Sequence, residues 1–257
     1  MSPLLVHAHI PKTAGSALNR GVLLPRFKAE NAALIYGVAF ERSRRLPGDA
    51  QIPSEPAFLS GHVPYGYAEA LRRDVIYVSV LRDPVDRLIS FLNYVALADR
   101  HGARRQFEED MKAVARRDPV RFVEQMLQSD LVRLRQSNIM VRLASGMPRL
   151  SKKTPGRWRL AQARRNVARG DYLVGAQENF YEFERLLRLT VDESGIGDPA
   201  GAAMVPRSEQ LEKRLEKVIR REDMPSGVID RIRAENVLDQ RLYDFVAERV
   251  AKGMLAA

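Results

Sequence analysis

An α/β fold built on a central parallel sheet is what this sequence predicts, on three observations. Short apolar runs at Leu4 to Ile10, Ala57 to Gly61, Val75 to Leu81 and Tyr172 to Ala176 alternate with helical patterns, the order that βαβ units produce. The clearest run, Val75-Ile76-Tyr77-Val78-Ser79-Val80-Leu81, is β-branched and apolar on both faces, as a strand covered on both sides should be. A hydrophobic fraction of 45% beside a charged fraction of 29% gives 257 residues enough apolar surface for a real core. We therefore expect a single domain over 1–257, with a helical annex at about 100–170 and more helix at the C-terminus.

Each element has its own signal. Leu4 to Ile10 is short, apolar and followed by Pro11, which predicts a buried strand. A glycine-bearing loop leads into a helix expected from about Ser16 to Lys28. Pro47-Gly48-Asp49, Pro53 and Pro56 mark residues 41–56 as a connection. After Leu81, Asp83 can cap the next helix and Pro84 suits its first position, with Val85, Leu88, Ile89 and Leu92 at helical spacing. From Ala103 to about Arg169 the pattern is helical and Arg-rich, interrupted by a loop around Ser145 to Arg157. A helix from Phe180 to Leu189 follows the Tyr172 to Ala176 strand, and two helices, Arg207 to Arg221 and Gly227 to Ala251, close the chain.

Composition narrows the function. Without cysteine there is no disulfide framework, zinc-thiolate site or thiol nucleophile, a usage that fits a reducing cytoplasm. No apolar run approaches the roughly 20 residues of a membrane span, and Met1 to His7 does not read as a signal peptide. Forty-two Lys and Arg against thirty-two acids give a formal charge of +10, which favours an anionic partner. Many of these arginines fall on solvated helix faces (Arg104, Arg105, Arg116, Arg117, Arg164, Arg165).

Two constellations carry chemistry. The first follows the first strand: Pro11-Lys12-Thr13-Ala14-Gly15-Ser16 offers a cation, two hydroxyls and a glycine where a loop meets a helix N-terminus, a receptor for a phosphate-like anion. It is not a Walker A loop, because Lys12 precedes the glycine. By spacing alone it also reads as an ordinary strand-to-helix turn with a surface lysine. The second constellation is Arg82-Asp83-Pro84-Val85-Asp86-Arg87-Leu88-Ile89-Ser90, where an arginine fork at a strand tip and a hydroxyl two turns into a helix suit a terminal phosphate. Arg82 or Arg87 paired with Asp83 or Asp86 is the plainer alternative.

Together, and in this order, the two segments resemble a known family. His9-Ile10-Pro11-Lys12-Thr13-Ala14-Gly15-Ser16 is similar to the 5′-phosphosulfate loop of sulfotransferases that use 3′-phosphoadenosine 5′-phosphosulfate (PAPS), above all the carbohydrate branch with the heparan and dermatan 2-O-sulfotransferases. The Arg82 to Ser90 segment resembles that family's 3′-phosphate motif. Weaker likenesses extend to Gln136-Ser137-Asn138, to Leu173 to Glu178 and to Asn236, Asp239, Leu242 and Tyr243.

The resemblance implies a P-loop nucleoside-kinase-like three-layer fold, PAPS as donor, 3′-phosphoadenosine 5′-phosphate (PAP) as product, and no metal. It implies that Lys12 neutralises the leaving oxygen, that Pro11, Lys12, Thr13, Ala14, Gly15 and Ser16 hold the 5′-phosphate, and that Arg82 and Ser90 hold the 3′-phosphate. Arg87 is as well suited to a structural role, and Arg157 is a candidate for the adenine side. His62, in Leu59-Ser60-Gly61-His62, is the candidate general base, since it follows a strand expected beside the first and imidazole titrates near neutrality. His7 and His9 share one face of the first strand, and His101 lies in a turn. Tyr65 and Tyr67 are candidates either for an acceptor cleft or for packing. The implied acceptor is a hydroxyl on a glycan or glycolipid, in a soluble bacterial, cytoplasmic enzyme that binds no nucleic acid. Against this stand a P-loop kinase, which needs a glycine ahead of the lysine and a magnesium-binding carboxylate, and a basic nucleic-acid or membrane module, which needs aromatics among its cations.

Overall fold

The computed structural model describes residues 2–35, 56–97, 112–147, 155–198 and 218–254, and everything below concerns these. The expected connection at 41–56 (apart from Pro56), His101, Arg104 and Arg105, and most of the helix at Arg207 to Arg221 lie outside them.

Five parallel strands form the sheet in the order β2-β3-β1-β4-β5: β1 (Leu4–Ala8), β2 (Ala32–Ile35), β3 (Phe58–Gly61), β4 (Val75–Leu81) and β5 (Tyr172–Ala176). β1, β3 and β5 are buried along their whole length, which is why their sequences are largely apolar, with His7 and Ser60 the polar residues of β1 and β3. Ser79 links three strands through this core. Ser79 donates to the Ala8 carbonyl at 2.6 Å and receives the Tyr172 hydroxyl at 3.0 Å.

The strand order fixes where a ligand can sit. From β1 the chain leaves toward β3 and β2; from β4 it leaves toward β5. The connections therefore part between the carboxyl ends of β1 and β4, and open parallel sheets bind ligands at such a point.

Helices begin where the sequence provides caps. α1 (Gly15–Leu18) follows β1, and α2 (Pro84–Leu97) follows β4. Asp83 Oδ1 accepts the Val85 and Asp86 amides at 2.9 and 3.0 Å, with Pro84 opening the helix as expected. Further helices are α3 (Pro119–Gln128), α4 (Asp130–Arg135), α5 (Ile139–Ala144), α6 (Gly156–Val167), α7 (Phe180–Glu193), α8 (Ser226–Glu235) and α9 (Val237–Ala251).

Two cores result. One surrounds the sheet and takes in α5, α6, α7 and α9; the other joins α2 to α3, α4 and α8 through Leu88, Leu92, Phe122, Val132 and Ile232. Of the described helices between 112 and 170, α3 and α4 thus pack on α2, while α5 and α6 pack on the sheet.

Three elements differ from expectation. The helix foreseen from Ser16 to Lys28 is regular only to Leu18, widens to a π-turn over Asn19–Leu23 and tightens to a 3₁₀ turn over Leu24–Arg26, where Pro25 has no amide to continue it. The helix foreseen from Gly227 to Ala251 is two, broken at Asn236, whose amide side chain donates to the Ile232 carbonyl while its Oδ1 accepts the Asn138 amide. β2 was not foreseen at all.

Candidate active site

The β1 and β4 loops meet at the parting of the connections. In the first, Lys12 and Ala14 both adopt left-handed backbone (φ 68° and 63°), which non-glycine residues rarely hold outside functional loops. The turn is fastened from within, because buried Thr13 donates its hydroxyl to the Ile10 carbonyl at 2.8 Å. That hydroxyl is committed to the loop itself, while Ser16 is exposed and Pro11, Lys12 and Ala14 are half-buried. α1 first uses the amides of Ala17 and Leu18, both donated to Ala14, so the amides of Gly15 and Ser16 precede its ladder and suit an anion.

Gly15 is required by space. A Cβ there would overlap the His9 imidazole.

From β4, Arg82 reaches across the sheet end to the Lys12 carbonyl at 3.5 Å. Lys12 Nζ lies over the Tyr94 ring, 4.8 Å from its centroid. Burial and then the Arg82 charge hold the Lys12 ammonium below the ordinary lysine range. Two half-buried cations crowded together are a poor arrangement alone and a good one around an anion, so this residue set fits a phosphate or sulfate group. Ser90 is half-buried on α2, one helical turn before Tyr94.

His62 is brought to the same place by strand pairing. β1 and β3 are neighbours in a register that pairs Ala8 with Gly61, so His9 and His62 emerge side by side. His62 Nδ1 lies 2.8 Å from the His9 carbonyl, which can only accept; Nδ1 therefore carries the proton and Nε2 the lone pair. Burial lowers the His62 pKa, opposed by that hydrogen bond.

The His9 ring stacks on His7 (centroids 5.0 Å apart, planes at 13°) and tilts onto His62 (4.9 Å, 46°). Burial, then His62 and Lys12, push His9 down to about 3, and burial holds the fully enclosed His7 well below its usual value.

Other candidates fall elsewhere. Arg87 is fully buried and donates to the Gln136 side chain at 3.0 Å and to its carbonyl at 2.9 Å, a structural placement. Arg221 pairs with Asp83 and Asp86 at 3.2 and 3.1 Å, engaging the acids that the plainer alternative assigned to Arg82 or Arg87. Tyr65 and Tyr67 are 8% and 5% exposed and belong to the core, Tyr65 bonding Asp171. Arg157 is exposed in the first turn of α6. Sequence reasoning missed Tyr94, whose one signal was its helical spacing from Ser90. Among the described residues no group of three or more His, Asp or Glu could hold a metal ion, and no helix is long and apolar enough to cross a membrane.

No protein-family model matches the chain. Curated proteins do. It is 29% identical over 139 residues to heparan sulfate 2-O-sulfotransferase 1 of Homo sapiens, a match covering 52% of this chain and 36% of that protein. The corresponding proteins of Gallus gallus and Mus musculus are each 28% identical, over 141 and 139 residues, with the same coverage. The chain spans about a third of the length of these relatives. It is a distant relative of the carbohydrate sulfotransferases, similar across half its length to those named for 2-O-sulfation of heparan sulfate.

Proposed function

We propose that this protein is a PAPS-dependent sulfotransferase that transfers a sulfuryl group to a hydroxyl on a glycan or glycolipid, through a single domain over 1–257 with a P-loop nucleoside-kinase-like three-layer fold. The observation that carries the reading is the meeting of the Lys12 loop, Arg82 and His62 at the parting of β1 and β4. The names of these relatives support the carbohydrate acceptor.

PAPS, when bound, supplies the sulfuryl group and carries a 3′-phosphate that ordinary adenine nucleotides lack. Pro11 to Ser16 cradle the 5′-phosphate, with the Gly15 and Ser16 amides and the Ser16 hydroxyl as donors and Pro11 and Thr13 shaping the turn. Arg82 and Ser90 hold the 3′-phosphate. His62 Nε2 takes the proton of the acceptor hydroxyl as the new oxygen–sulfur bond forms. The Lys12 ammonium balances the negative charge left on the phosphate oxygen as the old bond breaks. The roles of Lys12 and His62 call for in-line geometry, which rigid strand ends serve well.

Calorimetric titration with PAP, with AMP and with ATP plus magnesium tests the donor site. Binding of PAP that requires its 3′-phosphate and falls at least tenfold in Arg82→Ala is expected. Tighter binding of ATP with magnesium would replace this reading with a kinase, and no nucleotide binding with salt-sensitive RNA binding would replace it with a basic binding module.

A further inference from the structure

We propose that His9 is a positioning residue, a strut that joins the donor loop to the base: its backbone fixes His62 and its ring sets the distance between His62 and Gly15. This rests on the sulfotransferase reading for the naming of loop and base.

His9 is tied to the β3 end through both backbone groups. Its amide donates to the Gly61 carbonyl at 2.8 Å, and its own carbonyl accepts the His62 Nδ1 hydrogen at 2.8 Å. Any rotation of the His9 peptide therefore moves the atom that selects the His62 tautomer.

The ring works on the opposite side. It fills the space beside Gly15, where even one added methyl group would collide with it, and it touches His62 and His7 on its other faces. Packing at this density transmits displacement, so a shift of the donor loop at Gly15 is a shift of the ring against His62. His7 backs the column from below, pinned by a hydrogen bond to Ser60 at 2.9 Å.

Nothing in this arrangement asks His9 to exchange a proton. Burial and the charges of His62, when protonated, and of Lys12 each disfavour its imidazolium. A neutral, shape-filling ring is what these neighbours select.

The complementary contact between His9 and Gly15 supplies a size-swap test. In His9→Ala the wedge is lost, and kcat is expected to fall about tenfold or more while PAP affinity stays within about threefold. In Gly15→Ala the new methyl group presses on the ring, and both PAP affinity and kcat should fall. The double variant removes that collision, and both quantities should recover toward the values of His9→Ala relative to Gly15→Ala.

An NMR titration of the histidine ring nitrogens reads the same device without turnover. His62 should remain the Nδ1–H tautomer with a depressed pKa in the wild type, and in His9→Ala should move toward the ordinary imidazole range as water enters. Additive losses in the double variant, with an unchanged His62 titration in His9→Ala, would overturn the strut. Intact coupling in the NMR and PAP measurements, but no sulfated product with any glycan, would leave the strut standing and count against the sulfotransferase reading.

Discussion

At the scale of single residues, Arg82 and Arg87 show how one short motif divides its labour. Arg82 stands half-buried at the tip of β4 with Lys12 beside it, while Arg87 is enclosed and spends its fork on Gln136. A fully enclosed guanidinium with both Nη atoms held by Gln136 is out of a ligand's reach. His62 contrasts with both, since its environment fixes the tautomer and lowers the pKa, the two properties a base needs near neutrality. His62→Ala is therefore expected to bind PAP as the wild type does and to lose about 10²- to 10⁴-fold in kcat, the usual range for a positioned general base. Steady-state sulfation assays beside calorimetry separate the two effects. Full turnover in His62→Ala would remove it from the mechanism.

At the scale of elements, α5 and α9 cap each other. Asp239 in the first turn of α9 accepts the Met140 and Val141 amides at 3.1 and 2.8 Å, and Asn138 before α5 accepts the Leu238 and Asp239 amides at 2.9 and 3.1 Å. Asn138 holds left-handed backbone (φ 49°) and also bonds the Glu235 carbonyl, so the two helix starts form one reciprocal unit. Asp239→Ala strands two buried amides and withdraws the charge facing Arg87, and on cap and buried-donor energetics it should cost about 2–5 kcal/mol in urea unfolding. A change under about 0.5 kcal/mol, the size expected of a neutral surface substitution, would show that the unit contributes nothing.

The same elements mark what the sequence disclosed. β4 and β5 were legible because a strand covered on both faces is apolar at most positions, Ser79 being the polar exception in β4. β2 was not, because Ala32–Ile35 is four residues long with Leu34 53% exposed, and such a fragment carries no period. The break at Asn236 was invisible because its partner, Asn138, is distant in sequence. Of the candidate site, Lys12, Arg82 and Ser90 are motif positions that the resemblance names, whereas the contact of His9 with His62 arises only once β1 pairs with β3.

At the scale of the whole molecule, the histidine column makes stability depend on pH in a direction that can be worked out. His7, His9 and His62 are all held below the 6.5 of an unperturbed imidazole, His9 at about 3. Between 6.5 and these folded values the unfolded chain binds protons that the folded chain refuses, so stability is full above 6.5 and is lost as the pH falls. Asp239 acts oppositely. Burial raises its carboxyl to about 6 against the opposing charge of Arg87, so between 3.8 and about 6 the folded chain keeps a proton that the unfolded chain gives up. Its contribution therefore grows on acidification, one carboxyl set against three imidazoles. Urea unfolding at about pH 7.5 and about pH 5 should show a clear loss of stability in acid, smaller in His7→Gln, which removes one buried imidazole, and steeper in Asp239→Asn, which removes the opposing group. Stability that is flat across that interval, or that rises toward acid in the wild type, would mean that the imidazoles are not held neutral by the fold, and the column would have to be charged or open to water.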